Sequence, residues 1–324
     1  MNLFENSFVT AVVQVSPEMD VFPAGPDYGK AMAAIRDRQN DYDCLITFLR
    51  FSNICERSDF FDGVRLPTIM LEHDAWMNFS DRNPYYRKYS EYLSRERVDA
   101  IVVSSLFVQE RLEQEGHRCI YLPKGAPASF LHQPNSYSGF TCVFGSTICF
   151  PGTYEIRKSV YDAVKEISFL DKVGFKLGSR FVRVRQRMPR RNGQLPVHRL
   201  RFRFRDMPGM LSRYSASIIC DAGMSEPMAK HFEVSALGLV PIRDPEAKVE
   251  LELLGYKDGK SMIIYEDVDD LVDKLRYYSE HRDALHLLQD SARDAARANT
   301  WEVRAASLRR LVEGFLSGNV QERV

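Results

Sequence analysis

Two glutamates, Glu226 and Glu233, stand in the stretch around which this chain is organised. They lie in SEPMAKHFEVSALGLVPI, residues Ser225 to Ile242. An ionised carboxylate accepts hydrogen bonds from two adjacent hydroxyls at once, so such a group suits a ligand with vicinal hydroxyls. Lys230 and His231 stand between them. A second polar pair, His73 and Asp74, follows the apolar run TIMLE in the segment EHDAW. Ligand sites of α/β proteins gather at the carboxyl ends of strands. The same pair also reads as a capping aspartate beside a partly buried histidine. A third pair, Arg157 and Lys158, opens a helical period after Phe144-Gly145-Ser146. Paired cations there face either an anion or only solvent.

The elements that position these groups follow from hydrophobic period. ASIICD (Ala216 to Asp221) reads as a strand, and a Gly- and Pro-bearing loop follows. A helix then opens with Glu233 near its start and closes at Gly238, and LVPI (Leu239 to Ile242) is a new strand. A strand–loop–helix–strand unit presents a loop and a helix N-terminus at one edge of a parallel sheet, which favours a phosphate or a nucleotide. It also reads as an ordinary crossover. Elsewhere short apolar runs alternate with helical periods. Phe8 to Val15, Asp43 to Phe51, Thr68 to His73, Ala100 to Ser105 and Cys119 to Pro123 are expected strands of a first half. Lys124 to Gly139 is rich in Pro, Ser and Gly and reads as an interdomain linker. A second half starts with the strand Thr141 to Ser146, includes a helix Glu155 to Ser168, and ends in three helices from Asp267 onward. Nearly continuous apolar strands between helices predict parallel sheets covered on both faces.

Composition bounds the answer. The chain has 324 residues, 44% apolar and 27% charged, which suggests about two domains. There is no apolar run of transmembrane length, and the N-terminal stretch lacks the basic region and cleavage site of a signal peptide. The six cysteines form no CxxC pair and no metal-ligand spacing, so they are expected to be reduced residues of a cytoplasmic protein, with no metal bound. Net charge is zero, yet Lys172 to Arg205 holds ten arginines and two lysines with no acid. In FVRVRQR and RLRFRFR, basic and apolar residues alternate around Asn192-Gly193. That pattern predicts an Arg-rich β-hairpin whose Arg183, Arg185, Arg201 and Arg203 share one face and meet an anionic partner.

The second half resembles the retaining nucleotide-sugar glycosyltransferases of the GT-B fold, the group 1 family and its CgeB-like branch. The pieces run in the family's order: YLPKGAPASF, TCVFGS, DMPGMLSRYSASIICDAGMSEP, FEVSALGLVPI, SMIIYEDVDDLVDKLRYYSEH and NTWEVRAASLRRLV. The resemblance covers residues 118 to 317; the first 115 match in architecture alone. It implies an α/β fold of two Rossmann-like domains facing a cleft, with the Arg-rich hairpin inserted in the second. Expected boundaries are an acceptor domain at 1–125, a linker at 126–139, a donor domain at 140–300, and a C-terminal helix at 301–324 that packs back on the first domain.

By the same resemblance Glu233 holds the ribose of the donor and Glu226 lies near the transferred sugar. The family spaces these glutamates eight apart and carries glycine–phenylalanine–glycine where this chain has Pro227-Met228. Lys230 or His231 matches a basic residue of the CgeB-like turn. Arg157 and Lys158, with Gly145 at the strand's end, match residues at the nucleotide's diphosphate; Lys124 takes a small polar position of the family. His73 and Asp74 match a pair facing the sugar or acceptor. The implied activity is metal-independent hexosyl transfer from a UDP- or GDP-linked donor to a hydroxyl acceptor, with retention, in glycan assembly. No cofactor is implied, since the nucleotide sugar is a substrate. Two alternatives stay open: glycosyl transfer to phage-type modified DNA through the Arg-rich block, and a catalytically silent module binding glycan or nucleic acid.

Overall fold

The computed structural model describes residues 3–22, 28–48, 51, 60–81, 83–96, 98–135, 139–144, 155–164, 167, 170–171, 207–220 and 225–318. The Arg-rich stretch, with Arg183, Arg185, Arg201 and Arg203, and Gly145 lie outside the described residues. The chain divides into two compact units. One comprises Val9–Pro123 with Arg304–Val324, and the other Met1–Phe8 with Lys124–Val303.

The first of these is built on a four-stranded parallel sheet in the order β1 (Leu45–Thr47), β2 (Thr68–Glu72), β3 (Ala100–Val103), β4 (Cys119–Tyr121). Its register pairs Ile69 with Ala100 and Ile101 with Cys119. Every residue of β2 and β3 is buried. That explains the apolar runs 69–71 and 100–103: both faces are covered, so neither needs polar alternation.

The expected first strand, Phe8 to Val15, is instead the end of a helix, Leu3–Val15. Phe8, Ala11 and Val12 are buried while Thr10 and Gln14 are exposed. That is the i, i+3, i+4 spacing of a helix face, and it overrides the strand preference of the valines.

The second unit carries a five-stranded parallel sheet in the order β6-β5-β7-β8-β9, with β5 at Cys142–Phe144, β6 at Leu170–Asp171, β7 at Ala216–Ile219, β8 at Val240–Arg243 and β9 at Ile263–Ile264. The order reverses between β5 and β7, which makes a topological switch point. Outside the carboxyl ends of the strands at such a point, neighbouring loops part and leave a crevice. Cys142, Phe144, Ala216, Ile218, Val240 and Ile242 pack one face with Leu271, Leu285 and Leu288. Val143 and Ile219 pack the other with Phe232, Val234 and Leu251.

Residues 124–126 are stitched into this unit. The amide of Ala126 donates to the Asn299 carbonyl at 3.1 Å, and the Trp301 amide donates to Ala126 at 2.8 Å. A side chain on Gly125 would lie 2.9 Å from the Asn299 carbonyl oxygen, so only glycine permits this approach. Trp301 in turn packs on Phe8 with ring centroids 5.0 Å apart.

Helix Val268–Glu280 starts at Asp267, whose carboxylate accepts from the Asp270 amide at 2.9 Å. Asp267→Ala is expected to cost about 0.5–2 kcal/mol, read as a lower thermal midpoint, because a first-turn amide loses its acceptor.

Candidate active site

The residues best placed for chemistry sit at the carboxyl ends of β7 and β8. Beyond β7, Ser225 adopts φ 48°, a left-handed conformation rare for serine. Strain of that kind costs on the order of 1–3 kcal/mol and persists where surrounding structure fixes it. It delivers Glu226 into the interior. There the Glu226 carboxylate meets the Lys124 ammonium at 2.8 Å, both side chains being buried. Lys124 is held in turn by the close packing of Gly125.

Helix Ala229–Ala236 follows, with Met228 at its N-cap and no side-chain cap bond. Helix N-termini without a side-chain cap are general sites of anion binding; here the His231 amide donates to the Met228 carbonyl at 2.8 Å. Glu233 falls in the second turn of this helix, further in than its sequence setting suggested, and is wholly buried. The Lys230 ammonium lies 2.7 Å from its Oε2 as an ion pair, while Oε1 has no hydrogen-bonding partner among the described residues. Burial raises the Glu233 pKa above the usual carboxylate value, and Lys230 opposes that shift.

The helix ends in a Schellman turn. The Leu239 amide donates to Val234 and the Gly238 amide to Ser235, each at 2.9 Å, with Gly238 at φ 77°. The Arg293 guanidinium adds a bond to the Leu237 carbonyl and another to Asn135, both at 3.1 Å.

Consecutive helix positions point about 100° apart, and this separates the two basic candidates of the turn. Lys230 stays partly exposed. His231 turns inward, its ring edge-on to Tyr256 at 4.3 Å, with neither ring nitrogen hydrogen-bonded among the described residues. Burial, with the charge of Arg243, holds its pKa well below the usual histidine value.

The pair Arg157-Lys158 splits in the same way. Arg157 is buried and its Nε donates to the Cys220 carbonyl at 3.1 Å, just past β7. Lys158 is exposed and pairs with Asp162 one turn on. Lys158 thus lies on an exposed face of its helix, while Arg157 turns inward.

Three further groups at these strand ends escaped the sequence reading. Arg243, the last residue of β8, is fully buried beside Asp244, with 4.0 Å between Nη2 and Oδ1. Tyr265 follows β9, its hydroxyl 3.7 Å from the Cys220 sulfur. Burial pushes the Cys220 thiol up to about 12 and raises the Tyr265 phenol further still. An Arg-Asp pair directly after an apolar strand was the available signal.

In the four-stranded unit, His73 and Asp74 do follow β2. The His73 carbonyl accepts from the Ser104 hydroxyl at 2.9 Å, and its ring packs on Phe48. Asp74 precedes the short 3-10 helix Ala75–Phe79 without a side-chain cap bond. The organiser of this turn is buried Glu72, which accepts from the amides of Phe51 at 2.9 Å and Asp74 at 2.8 Å. Among the described residues, no helix is long and apolar enough to cross a membrane, and no cluster of three or more His, Cys, Asp or Glu residues is placed to hold a metal ion.

Residues 170–310 match the family described as glycosyl transferase-like. No curated protein matches the chain. Among solved structures, HepE of Anabaena in complex with UDP and glucose superposes with a TM-score of 0.64 at 12% identity, over 97% of this chain and 96% of that one. Sucrose-phosphate synthase of Thermosynechococcus elongatus gives 0.59 at 13%, over 90% and 78%. A glycosyltransferase of Rickettsia africae gives 0.58 at 11%, over 97% and 95%. The chain thus has the α/β architecture of the GT-B glycosyltransferases, with two parallel sheets, and its segment 170–310, which holds both glutamates, carries the glycosyl transferase-like pattern.

Proposed function

We propose that this protein is a glycosyltransferase of the CgeB-like branch, moving a hexose from a UDP- or GDP-linked donor to a hydroxyl acceptor with retention and without a metal. The observation that carries this reading is Glu233: a buried carboxylate with one oxygen open among the described residues, on a helix that begins beside a topological switch point. Two vicinal ribose hydroxyls would complete its coordination. The first-turn amides of the same helix and the Arg157 guanidinium would lie toward the diphosphate. Negative charge grows there as the glycosidic bond breaks, and fixed positive groups lower that barrier. Glu226, paired with Lys124, would lie on the sugar side, and His73 and Asp74 on the side of the acceptor. The fold and the segment match support this reading, as does the UDP bound in a structural neighbour. DNA as acceptor rests on arginines outside the described residues.

Glu233→Gln tests it. A hydrogen bond to a charged group is worth about 1.5–3 kcal/mol, so nucleotide affinity is expected to fall about 10–100-fold by calorimetry. The ligand-free protein should respond in the opposite direction. Because the folded state raises the Glu233 pKa, native protein holds this proton more tightly than unfolded chain. Stability from this group is therefore present at low pH and is lost as pH climbs from 4.5 through the raised folded value. Glu233→Gln should flatten that slope. Unchanged nucleotide affinity in this variant would remove Glu233 from the site.

A further inference from the structure

Both glutamates of the site are neutralised by a lysine, but the two lysines are held differently. Lys124 is buried and its backbone is clamped through Gly125. Lys230 sits in the first turn of the helix, 24% of its side chain exposed, reaching Glu233 three residues on. A buried carboxylate without a counter-ion is costly, so the ligand-free protein needs this pair. The bound state described under the proposed function, on which this inference rests, changes that need. Ribose hydroxyls satisfy a carboxylate by hydrogen bonds, and two of them call on both oxygens. One is open, and the other is covered by the Lys230 ammonium.

We propose that Lys230 is a diphosphate ligand held in reserve on Glu233, and that the ribose displaces it onto the phosphates. The diphosphate is tethered to the same ribose through its 5′ oxygen, so a lysine released from the carboxylate lies close to it. The stem of lysine has four rotatable carbons and its ammonium is a mobile point charge, which suits such a transfer better than a guanidinium fork. The exchange also fixes an order of recognition. A nucleoside frees the lysine, and only a phosphorylated one gives it a new partner, so the site reads ribose and diphosphate as one unit.

The experiment is calorimetric titration of wild type, Lys230→Met and Lys230→Arg. The ligands are whichever of UDP, GDP, ADP and CDP binds wild type most tightly, and its parent nucleoside. In Lys230→Met the nucleoside is expected to bind as well as in wild type or better. The extra affinity conferred by the diphosphate should shrink at least tenfold, and Lys230→Arg should keep most of it. Equal weakening of nucleoside and diphosphate would show a purely structural ion pair and overturn the exchange. Equal tightening of both would show a plug without a phosphate role and overturn it as well. A wild type that binds none of the four nucleotides overturns the donor-site reading itself, and this inference with it. Circular dichroism melts of both variants, taken first, establish that each is folded.

Discussion

Lys124→Met is expected to lower the unfolding free energy by about 3–5 kcal/mol, because it strands the Glu226 carboxylate in the interior without its counter-ion. The two charges lie 2.8 Å apart with both side chains almost fully buried. Neither can turn to water for relief, which separates this pair from an exposed one such as Lys158 with Asp162, worth about 0–1 kcal/mol. Methionine keeps most of the volume, so the loss reports charge rather than a cavity. Adding Glu226→Leu to Lys124→Met should recover most of it, since a buried pair replaced by apolar residues is often neutral. The two tryptophans fall in different units, Trp76 in the four-stranded one and Trp301 in the five-stranded one. Denaturation followed in a Trp76→Phe background therefore reads the affected unit. A single-variant loss below about 1 kcal/mol would mean that water reaches the pair.

Gly238→Ala is expected to cost about 2–4 kcal/mol and to lower the thermal midpoint by about 4–16 °C. Part of the loss is conformational. At φ 77° an alanine pays roughly 1–2 kcal/mol that glycine does not. The rest is lost contacts. A Cβ there would overlap the Arg293 guanidinium and come within 2.9 Å of the Asn135 amide. Arg293 must then withdraw from the Leu237 carbonyl, leaving the last turn of the site helix without that partner, at about 1 kcal/mol per bond. Because that helix carries Lys230 and Glu233, nucleotide affinity should fall along with stability. A loss of stability with full nucleotide affinity would show that this end of the helix does not position the carboxylate.

How far the sequence revealed this molecule depended on the range of the forces involved. The strands IVV and IML were legible because burial on both faces leaves an unbroken apolar run. The exit of the helix Ala229–Ala236 at Gly238 was legible because a left-handed turn demands glycine, whereas its start was read too near Glu233. The misread segment, Phe8 to Val15, carries valines that suit a strand, while the buried set Phe8, Ala11 and Val12 has helical spacing. Its partner Trp301 lies near the other end of the chain, so the face it covers leaves no local trace. The site divides along the same line. Glu226 and Glu233 are local features of one loop and helix. Arg243 and Asp244 look like the first residues of a solvated loop. Only the register of β8 on β7, Ile219 beside Arg243, puts them at a buried strand edge. Glu72 likewise gains its role when the chain returns to bring the Phe51 amide to it.

The assignment of Phe8 and Trp301 to one unit, and of Val9–Pro123 with Arg304–Val324 to the other, has a consequence for how the protein is made. The four-stranded unit is incomplete when its main segment leaves the ribosome, and the first residues of the five-stranded unit emerge long before the rest of it. The four-stranded sheet emerges early, but Arg309, which bonds the Val15 carbonyl at 2.6 Å and pairs with Glu18 at 3.1 Å, is synthesised near the end. Phe8 waits as long for its tryptophan. Closing contacts of such sequence separation slows folding and leaves apolar surface open during translation. Chaperone dependence should therefore track the last helix: stopping synthesis before Trp301 leaves both units unfinished at once.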